Sequence, residues 1–269
     1  TLGGISSAAW SAELTTSGSA ITSASNRYLQ YRITMTSNSV RTDAPRLNSI
    51  RITYDPPLAS DYDDLYLAAD NDGWAFGTGG AIARWDGASW TNYASPTSNF
   101  LDAAAGTASN DVWGVGQTGT IVHWNGTAWS TVTSNTSQTL YGVACLTSSE
   151  CRAVGASGTV DRWNGSSWST ETDPSTQTLE AVGYVASNDV WATGGTDIVH
   201  YNGTAWSTHT TVGAAVFHGL WMVSASDGWV VGNGGAIRRY NGTSWSTVSS
   251  PTANNLQDVQ CLSASECWA

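Results

Sequence analysis

The sequence has no lysine and little charge of either sign. Its ten basic residues are all arginine, 21 residues are acidic, and the net charge is −11. An acidic surface repels phosphate backbones, so we expect no nucleic-acid partner. No apolar run approaches the length of about 18 residues that a membrane helix needs, so we also expect no membrane span in this chain.

Motifs of known chemistry are equally scarce. The chain has no Ser-His-Asp signature, no C-x-x-C pair and no glycine-rich phosphate loop. A glycosidase needs two carboxylates that flank one bond, and a sialidase-like site would also need clustered arginines, whereas the arginines after residue 65 mostly recur at one strand position. We therefore expect no enzyme, no catalytic residue, no metal site and no cofactor.

Tryptophan is abundant, with 15 residues, and most of them belong to a repeated stretch. NDVWGVGQTGTIVHWNGTAW at 110–129 recurs with changes at 71–90, 149–168, 188–206 and 226–245, and a further copy begins at 265. A glycine recurs at 77, 116, 155, 194 and 232, in steps of 39, 39, 39 and 38. A period of about 40 residues is typical of arrays whose units bury their faces against their neighbours.

Each copy has the pattern of four short strands, at 140–146, 152–155, 159–163 and 168–170 in the third. An Asn-Gly or Asp-Gly dipeptide before the last strand predicts a type I′ turn with positive φ at both residues. Because no helical periodicity is present, we predict an all-β fold: a β-propeller over residues 58–269 with five complete four-stranded blades and a partial sixth. The residues expected to pack between blades are Val115, Val154, Val231, Trp113, Trp191 and Trp229.

A resemblance to a known family supports this fold. GWAFGTGGAIARWDGASW at 73–90 is similar to the repeat of the BNR and Ycf48-like propellers, in which a GWAVG strand precedes a Gly-Thr-Ile strand and a DGG-type turn before Trp. The resemblance covers roughly residues 65–269 and implies the propeller fold. The family spans sialidases, photosystem assembly factors and many secreted proteins, so it implies no single activity. The repeat also departs from the Asp-box S-x-D-x-G-x-T-W, and no catalytic residue is carried over.

The amino-terminal residues 1–57 form a different segment. Alternating apolar and polar residues at 28–35 and 50–54 predict half-buried strands, and the segment loosely resembles the closing strands of β-sandwich modules in bacterial surface proteins. SAAWSAEL at 7–14 is similar to GTAWSTV at 126–132. This strand, which contains Trp10, is one candidate for completing the sixth blade, within the chain or from a neighbouring molecule; the other interpretation is that the chain begins and ends inside longer modules.

The four cysteines form two equivalent pairs around the turn between the first and second strands of a blade. Cys145 and Cys151 lie in the third unit, and Cys261 and Cys267 in the sixth. Cross-strand neighbours approach closely enough to be bridged, so we predict two local disulfides. A redox or metal site is the alternative. Disulfides persist in oxidising compartments, which predicts an extracellular or cell-surface location.

An acidic residue recurs before the second strand of every unit: Asp72, Asp111, Glu150, Asp189, Asp227 and Glu266. These carboxylates either form a cation-binding ring or accept hydrogen bonds from their own turns, and we expect the second role. His123 and His200 occupy a third-strand position at which other units have arginine. Because histidine and arginine replace each other at this position, we predict that it lies on a solvated strand face.

Five asparagines lie in N-x-Ser/Thr sequons and are candidates for N-glycosylation: Asn125, Asn135, Asn164, Asn202 and Asn241. The turn explains why four of them recur, so the modification is a separate hypothesis. It depends on whether the organism has the machinery.

Two functional hypotheses follow. The first is an extracellular structural or adhesion module, part of a surface filament or a larger surface protein, whose partners are its own copies. The second is a carbohydrate-binding propeller that binds surface glycans. The candidate ligand-binding residues for the second are Trp221, Tyr184 and His218, of which the first two break the repeat pattern.

Overall fold

The computed structural model describes residues 31–36, 46–52, 61–173, 175–211 and 215–269. The chain divides into two compact units, Thr1–Ala59 and Ser60–Ala269. The described residues of the first unit form one antiparallel hairpin, β1 (Tyr31–Thr36) with β2 (Arg46–Ile52). The segment 7–14, suggested as a blade-completing strand, lies outside the described residues.

The second unit contains five four-stranded antiparallel sheets and one two-stranded sheet, each in chain order. The first sheet contains β3 (Tyr62–Ala69), β4 (Asp72–Gly77), β5 (Ile82–Trp85) and β6 (Trp90–Tyr93). The second contains β7 (Leu101–Ala108), β8 (Asp111–Gly116), β9 (Ile121–Trp124) and β10 (Trp129–Val132). The third contains β11 (Leu140–Thr147), β12 (Glu150–Gly155), β13 (Thr159–Trp163) and β14 (Trp168–Glu171).

The remaining sheets repeat the order. The fourth has β15 (Ala181–Ala186), β16 (Asp189–Gly194), β17 (Asp197–Tyr201) and β18 (Trp206–Thr211), and the fifth has β19 (Phe217–Ser224), β20 (Asp227–Gly232), β21 (Ile237–Tyr240) and β22 (Trp245–Val248). Within the described residues the sixth contains β23 (Gln260–Ser263) and β24 (Glu266–Trp268). The predicted pattern of five complete units and a partial sixth is confirmed.

The hairpin between the third and fourth strands differs from the prediction. Trp124 pairs with Trp129, so the loop has four residues rather than two. Within it Gly126 has φ +89°, but Asn125 is not among the residues with positive φ, and the type I′ prediction is wrong. The Asn125 Oδ1 instead accepts hydrogen bonds from the N–H groups of Thr127 (2.9 Å) and Ala128 (3.0 Å). The side chain therefore closes the loop, which is why asparagine or aspartate recurs there.

Successive sheets pack face to face, with their first strands side by side from β3 through β7, β11, β15 and β19 to β23. Each hydrophobic cluster joins two consecutive sheets. Of the predicted packing residues, all but Trp229 are buried. Trp229 is half-buried, because the aromatic residues that cover its counterparts lie on third and fourth strands, and the described part of the sixth sheet has neither.

The tight turn after the second strand depends on glycine at one position. In the fifth sheet this turn contains Gly234 (φ +64°) and Gly235 (φ +71°). A Cβ on Gly234 would meet nothing within 4 Å, whereas a Cβ on Gly235 would lie 2.0 Å from the Thr252 carbonyl oxygen. Thr118 (φ +54°) and Ser157 (φ +57°) occupy the position of Gly234 in other sheets, so that position tolerates a side chain.

We expect Gly234→Ser to lower the free energy of unfolding by about 1 kcal/mol, since only backbone strain is added. Gly235→Ala adds the same strain and a clash with the Thr252 carbonyl, so the loss should exceed roughly 3 kcal/mol. Urea unfolding of both variants, followed by tryptophan fluorescence, measures the difference. Equal losses would show that the close approach to Thr252 is not what fixes glycine at 235.

Candidate functional site

The recurring carboxylates pair with the third strand of their own sheet. Each complete sheet has an acidic residue at the start of its second strand bonded to an arginine or histidine of its third strand. The pairs are Asp72–Arg84 (3.3 Å), Asp111–His123 (2.7 Å), Glu150–Arg162 (2.6 Å), Asp189–His200 (2.8 Å) and Asp227–Arg239 (2.8 Å). The prediction that these carboxylates serve their own turns holds for Asp111, which also accepts from the Thr107 hydroxyl, and the main partner of all five is the third-strand residue.

The turns have another acceptor. The hydroxyl two residues earlier accepts the backbone N–H in these turns: Thr147 from Ser149 (3.3 Å) and Ser224 from Ser226 (3.2 Å). Since the serine or threonine already caps the turn, the carboxylate remains available for the cation across the sheet. The constant spacing of acid and base, 12 residues in four sheets and 11 in the other, was the sequence signal that could have revealed the pair.

The cationic or imidazole side chain also stacks on the tryptophan opposite it in the ladder. His123 lies 3.9 Å from Trp113 and His200 lies 4.1 Å from Trp191, centroid to centroid. Arg84 and Arg239 lie over their own tryptophans in the same way. The side chains of His123 and His200 are 24% and 23% exposed, and those of the arginines at the same position are 35–44% exposed, so this strand face is partly solvated.

The third sheet replaces this tryptophan with Arg152, which is fully buried. Its guanidinium donates to Glu171 through Nε (2.8 Å) and Nη2 (3.0 Å), and through Nη1 to Glu150 (2.8 Å) and to the hydroxyl of Tyr184 (3.0 Å). It also lies 4.4 Å above the ring of Tyr201 in the next sheet. Burial alone would lower the pKa of Arg152, but the bonds to Glu171 and the charges around it raise that pKa above its ordinary value. Arg152 is therefore a charged link between the third and fourth sheets.

Tyr184, one of the candidate ligand residues, belongs to this link. Its hydroxyl accepts from Arg152 and donates to Glu150 Oε1 (3.3 Å), and burial raises its pKa. The structure therefore explains why Tyr184 breaks the repeat pattern. Trp221 lies opposite Trp229 in the ladder between β19 and β20 and is half-buried. A ligand-binding role for either residue stays a prediction.

His218, the third candidate, belongs to the inner ring. We give this name to five equivalent residues at the beginning of the first strands or, for Glu180, directly before one: Asp63, Asp102, Tyr141, Glu180 and His218. The His218 Nδ1 bonds to Glu180 Oε2 (2.6 Å) and its Nε2 to Asn233 Oδ1 (2.8 Å). Burial lowers the pKa of His218, but the bonds to Glu180 and Asn233 outweigh it and raise that pKa. None of the hydrogen bonds made by His218 or Tyr184 joins these two residues to each other or to Trp221.

Comparison with solved structures decides the fold. The WD40 repeats of RRP9 match with a TM-score of 0.67 and 10% identity over 82% of this chain and 75% of that one. The WD40 β-propeller domain of Doa1 matches with a TM-score of 0.61 and 12% identity over 76% and 72%. The chain is a β-propeller. At these identities the likeness extends to the fold alone.

Other comparisons add no function to this propeller. Structures of YCF48 are also among the matches: YCF48 from Cyanidioschyzon merolae (TM-score 0.43, 15% identity, 78% and 93% coverage) and YCF48 bound to a D1 peptide (0.45, 13%, 78% and 89%). No family model and no curated protein sequence matches the chain.

Both predicted disulfides are present in the propeller. Cys145 bonds to Cys151 across β11 and β12, and Cys261 bonds to Cys267 across β23 and β24. Over the described ranges, no group of three histidine, cysteine or acidic side chains is placed to hold a metal ion. No helix in those ranges is long and apolar enough to cross a membrane.

Four of the five sequons lie on exposed loops between the third and fourth strands of a blade, at Asn125, Asn164, Asn202 and Asn241. The Oδ1 atom of each accepts hydrogen bonds from backbone N–H groups of its own loop. The Nδ2 atom, to which a glycan would be attached, takes no part in those bonds. Asn135 differs because its Nδ2 donates to the Trp168 carbonyl. Glycosylation remains a prediction that favours the four loop sites.

We expect Arg152→Ala to lower the free energy of unfolding by about 3–5 kcal/mol, because Glu171 would lose both of its bonds to the guanidinium in a mostly buried position and Glu150 would keep only Arg162. Arg239→Ala is the matched control. Its side chain is 44% exposed, and its loss should stay under about 1 kcal/mol. Guanidinium unfolding measures both. A loss for Arg152→Ala as small as that for Arg239→Ala would contradict the assigned link.

The inner ring generates a prediction about pH. Burial, and then the charge of Asp63, raises the pKa of Asp102 to about 6. The unfolded value is lower, so the destabilising contribution of this carboxyl is absent below about pH 4 and grows as the pH rises through 6. We therefore expect Asp102→Asn to raise the melting temperature at pH 7.5 and to leave it almost unchanged at pH 4. Calorimetry at both values measures this, and an equal change at both would refute it.

Proposed function

We propose that this propeller is an extracellular structural or adhesion module that associates with further copies of itself. Two disulfides in a chain of this size suit an oxidising compartment. In the complete blades its recurring acidic and basic residues form ion pairs or hydrogen bonds within their own blade, so they serve the scaffold. The surfaces at the two ends of the blade series support association.

Large apolar side chains are exposed at both ends of the series. Leu65 and Leu67 on β3 of the first blade are each 53% exposed, and Leu262 on β23 and Trp268 on β24 are 76% and 55% exposed. The position of Leu65 is covered in the third blade, where Val143 is 9% exposed, whereas Leu146, at the position of Leu262, is 39% exposed. The exposed apolar side chains of Leu65 and Leu67 on β3 carry the proposal.

The contact that would cover these faces already exists inside the chain. Trp113 of the second blade packs against Trp163 and Trp168 of the third, at centroid distances of 4.9 and 5.3 Å. Trp268 occupies the repeat position of Trp113. A second copy that presents its first blade to Trp268 would repeat this packing head to tail. Such heterologous contacts generate rings or filaments.

Sedimentation of the propeller between low micromolar and millimolar concentrations tests the proposal. We expect the weight-average mass to rise above 28.2 kDa in the wild type. Replacing Trp268 and Leu262 together by serine should weaken association at least about 30-fold, as removal of a buried aromatic anchor does.

Tyr141→Ser is the control, because Tyr141 is an exposed large side chain (38%) on the inner ring, away from the proposed contact. It should associate like the wild type. A wild type that stays monomeric at the highest concentration would refute self-association, and so would a doubly substituted variant that associates as strongly as the wild type.

A further inference from the structure

A groove on the first blade has features that its counterparts lack. It encloses about 790 Å³ beside the turn of the second blade that contains Ser109. Its polar and aromatic lining includes Asn71, Asp72, Arg84, Asp86 and Tyr93. This volume is in the range typical of small-molecule sites. Among these residues the sequence singled out only Asp72, as one of the recurring carboxylates, and none was a candidate for binding a glycan.

Arg84 is bound less completely than the equivalent arginines. Arg239 donates to Asp227 through Nε (2.8 Å) and Nη2 (3.0 Å), and Arg162 likewise donates to Glu150 through both Nε and Nη2. Arg84 donates only through Nε to Asp72 Oδ1, at 3.3 Å. Among the described residues, neither its Nη atoms nor Asp72 Oδ2 has a hydrogen-bond partner. The guanidinium lies over Trp74, 5.3 Å from the ring centre, so it is held in place while its donors stay available.

Tyr93 supplies an apolar wall. It is 39% exposed, and its ring is braced edge-on by Trp74 (5.0 Å) and Trp124 (5.7 Å). The equivalent residues in the other blades are Val132, Glu171, His209 and Val248. The first blade is therefore the only complete blade with a tyrosine at this position.

The charges of the groove select the class of ligand. Asp72 and Asp86 oppose a single guanidinium, so an anionic ligand would meet net negative charge. An ammonium or guanidinium group has donors only, so it cannot accept from the N–H groups of Arg84. A hydroxyl group both donates and accepts, so two adjacent hydroxyls can bond to Arg84 Nη and Asp72 Oδ2 together.

We propose that this groove binds a neutral hexose unit of a glycan. Its vicinal hydroxyls bond to Arg84 and Asp72, and the apolar C–H face of the pyranose ring lies against Tyr93. Binding here does not depend on self-association, because the apolar ends of the blade series are not part of the groove.

Saturation-transfer NMR and calorimetry with cellobiose, lactose and α-mannobiose test the proposal. We expect at least one of these neutral disaccharides to bind. Tyr93→Leu, which keeps an apolar side chain against Trp74, and Arg84→Gln should each weaken binding at least tenfold. Asp72→Asn, which replaces a carboxylate oxygen by an amide donor at nearly the same shape, gives a third variant that should fold normally and bind more weakly.

Two matched controls should bind like the wild type. Arg239→Gln changes the equivalent arginine of the fifth blade, and Tyr141→Leu changes an exposed tyrosine on the inner ring. Sialyllactose should bind more weakly than lactose because of its carboxylate. The proposal is overturned if no neutral disaccharide binds, if the groove variants bind as tightly as the controls, or if sialyllactose binds as tightly as lactose.

Discussion

The packing of one tryptophan against two aromatic rings of the next blade holds this propeller together. Trp74 meets Trp124 and Trp129 at centroid distances of 4.9 and 5.0 Å, and Trp191 meets Tyr240 and Trp245 in the same manner. Tilted and edge-on aromatic pairs add to the large apolar area that indole buries. Because the first, second and fourth blades each pack this tryptophan against an aromatic pair of the next blade, these blades bury their core residues only together with their neighbours.

The need to hold this tryptophan in position explains the polar residues around it. In four blades the arginine or histidine of the third strand stacks on the tryptophan of its own blade, and the recurring carboxylate fixes that side chain in place. In the third blade the charged residue Arg152 occupies the position of this tryptophan. Its guanidinium lies over the rings of Tyr201 and Trp206 of the next blade, where a tryptophan would pack. The substitution is tolerated because Glu171, Glu150 and Tyr184 surround the guanidinium with acceptors.

Function in such an array is expected where the repeat departs from its own rules. The ends of the blade series expose faces that are elsewhere buried, and the first blade has an incompletely bound arginine beside an exposed tyrosine. Tyr184 shows the limit of this reasoning, since its departure from the repeat is explained by packing around Arg152. A residue that breaks the pattern becomes a site only when its polar atoms remain available.

The sequence by itself determined the strand order, the five complete blades, the partial sixth and both disulfides, because these depend on local alternation and on spacing within one hairpin. It did not reveal the loop geometry at Asn125, since the choice between a type I′ turn and a side-chain cap depends on competing local hydrogen bonds. The partners of the recurring carboxylates, the link at Arg152 and the groove at Arg84 were decided by the tertiary structure. In these places side chains from several strands, or from neighbouring blades, compete for the same polar atoms, and a linear pattern does not record the outcome of that competition.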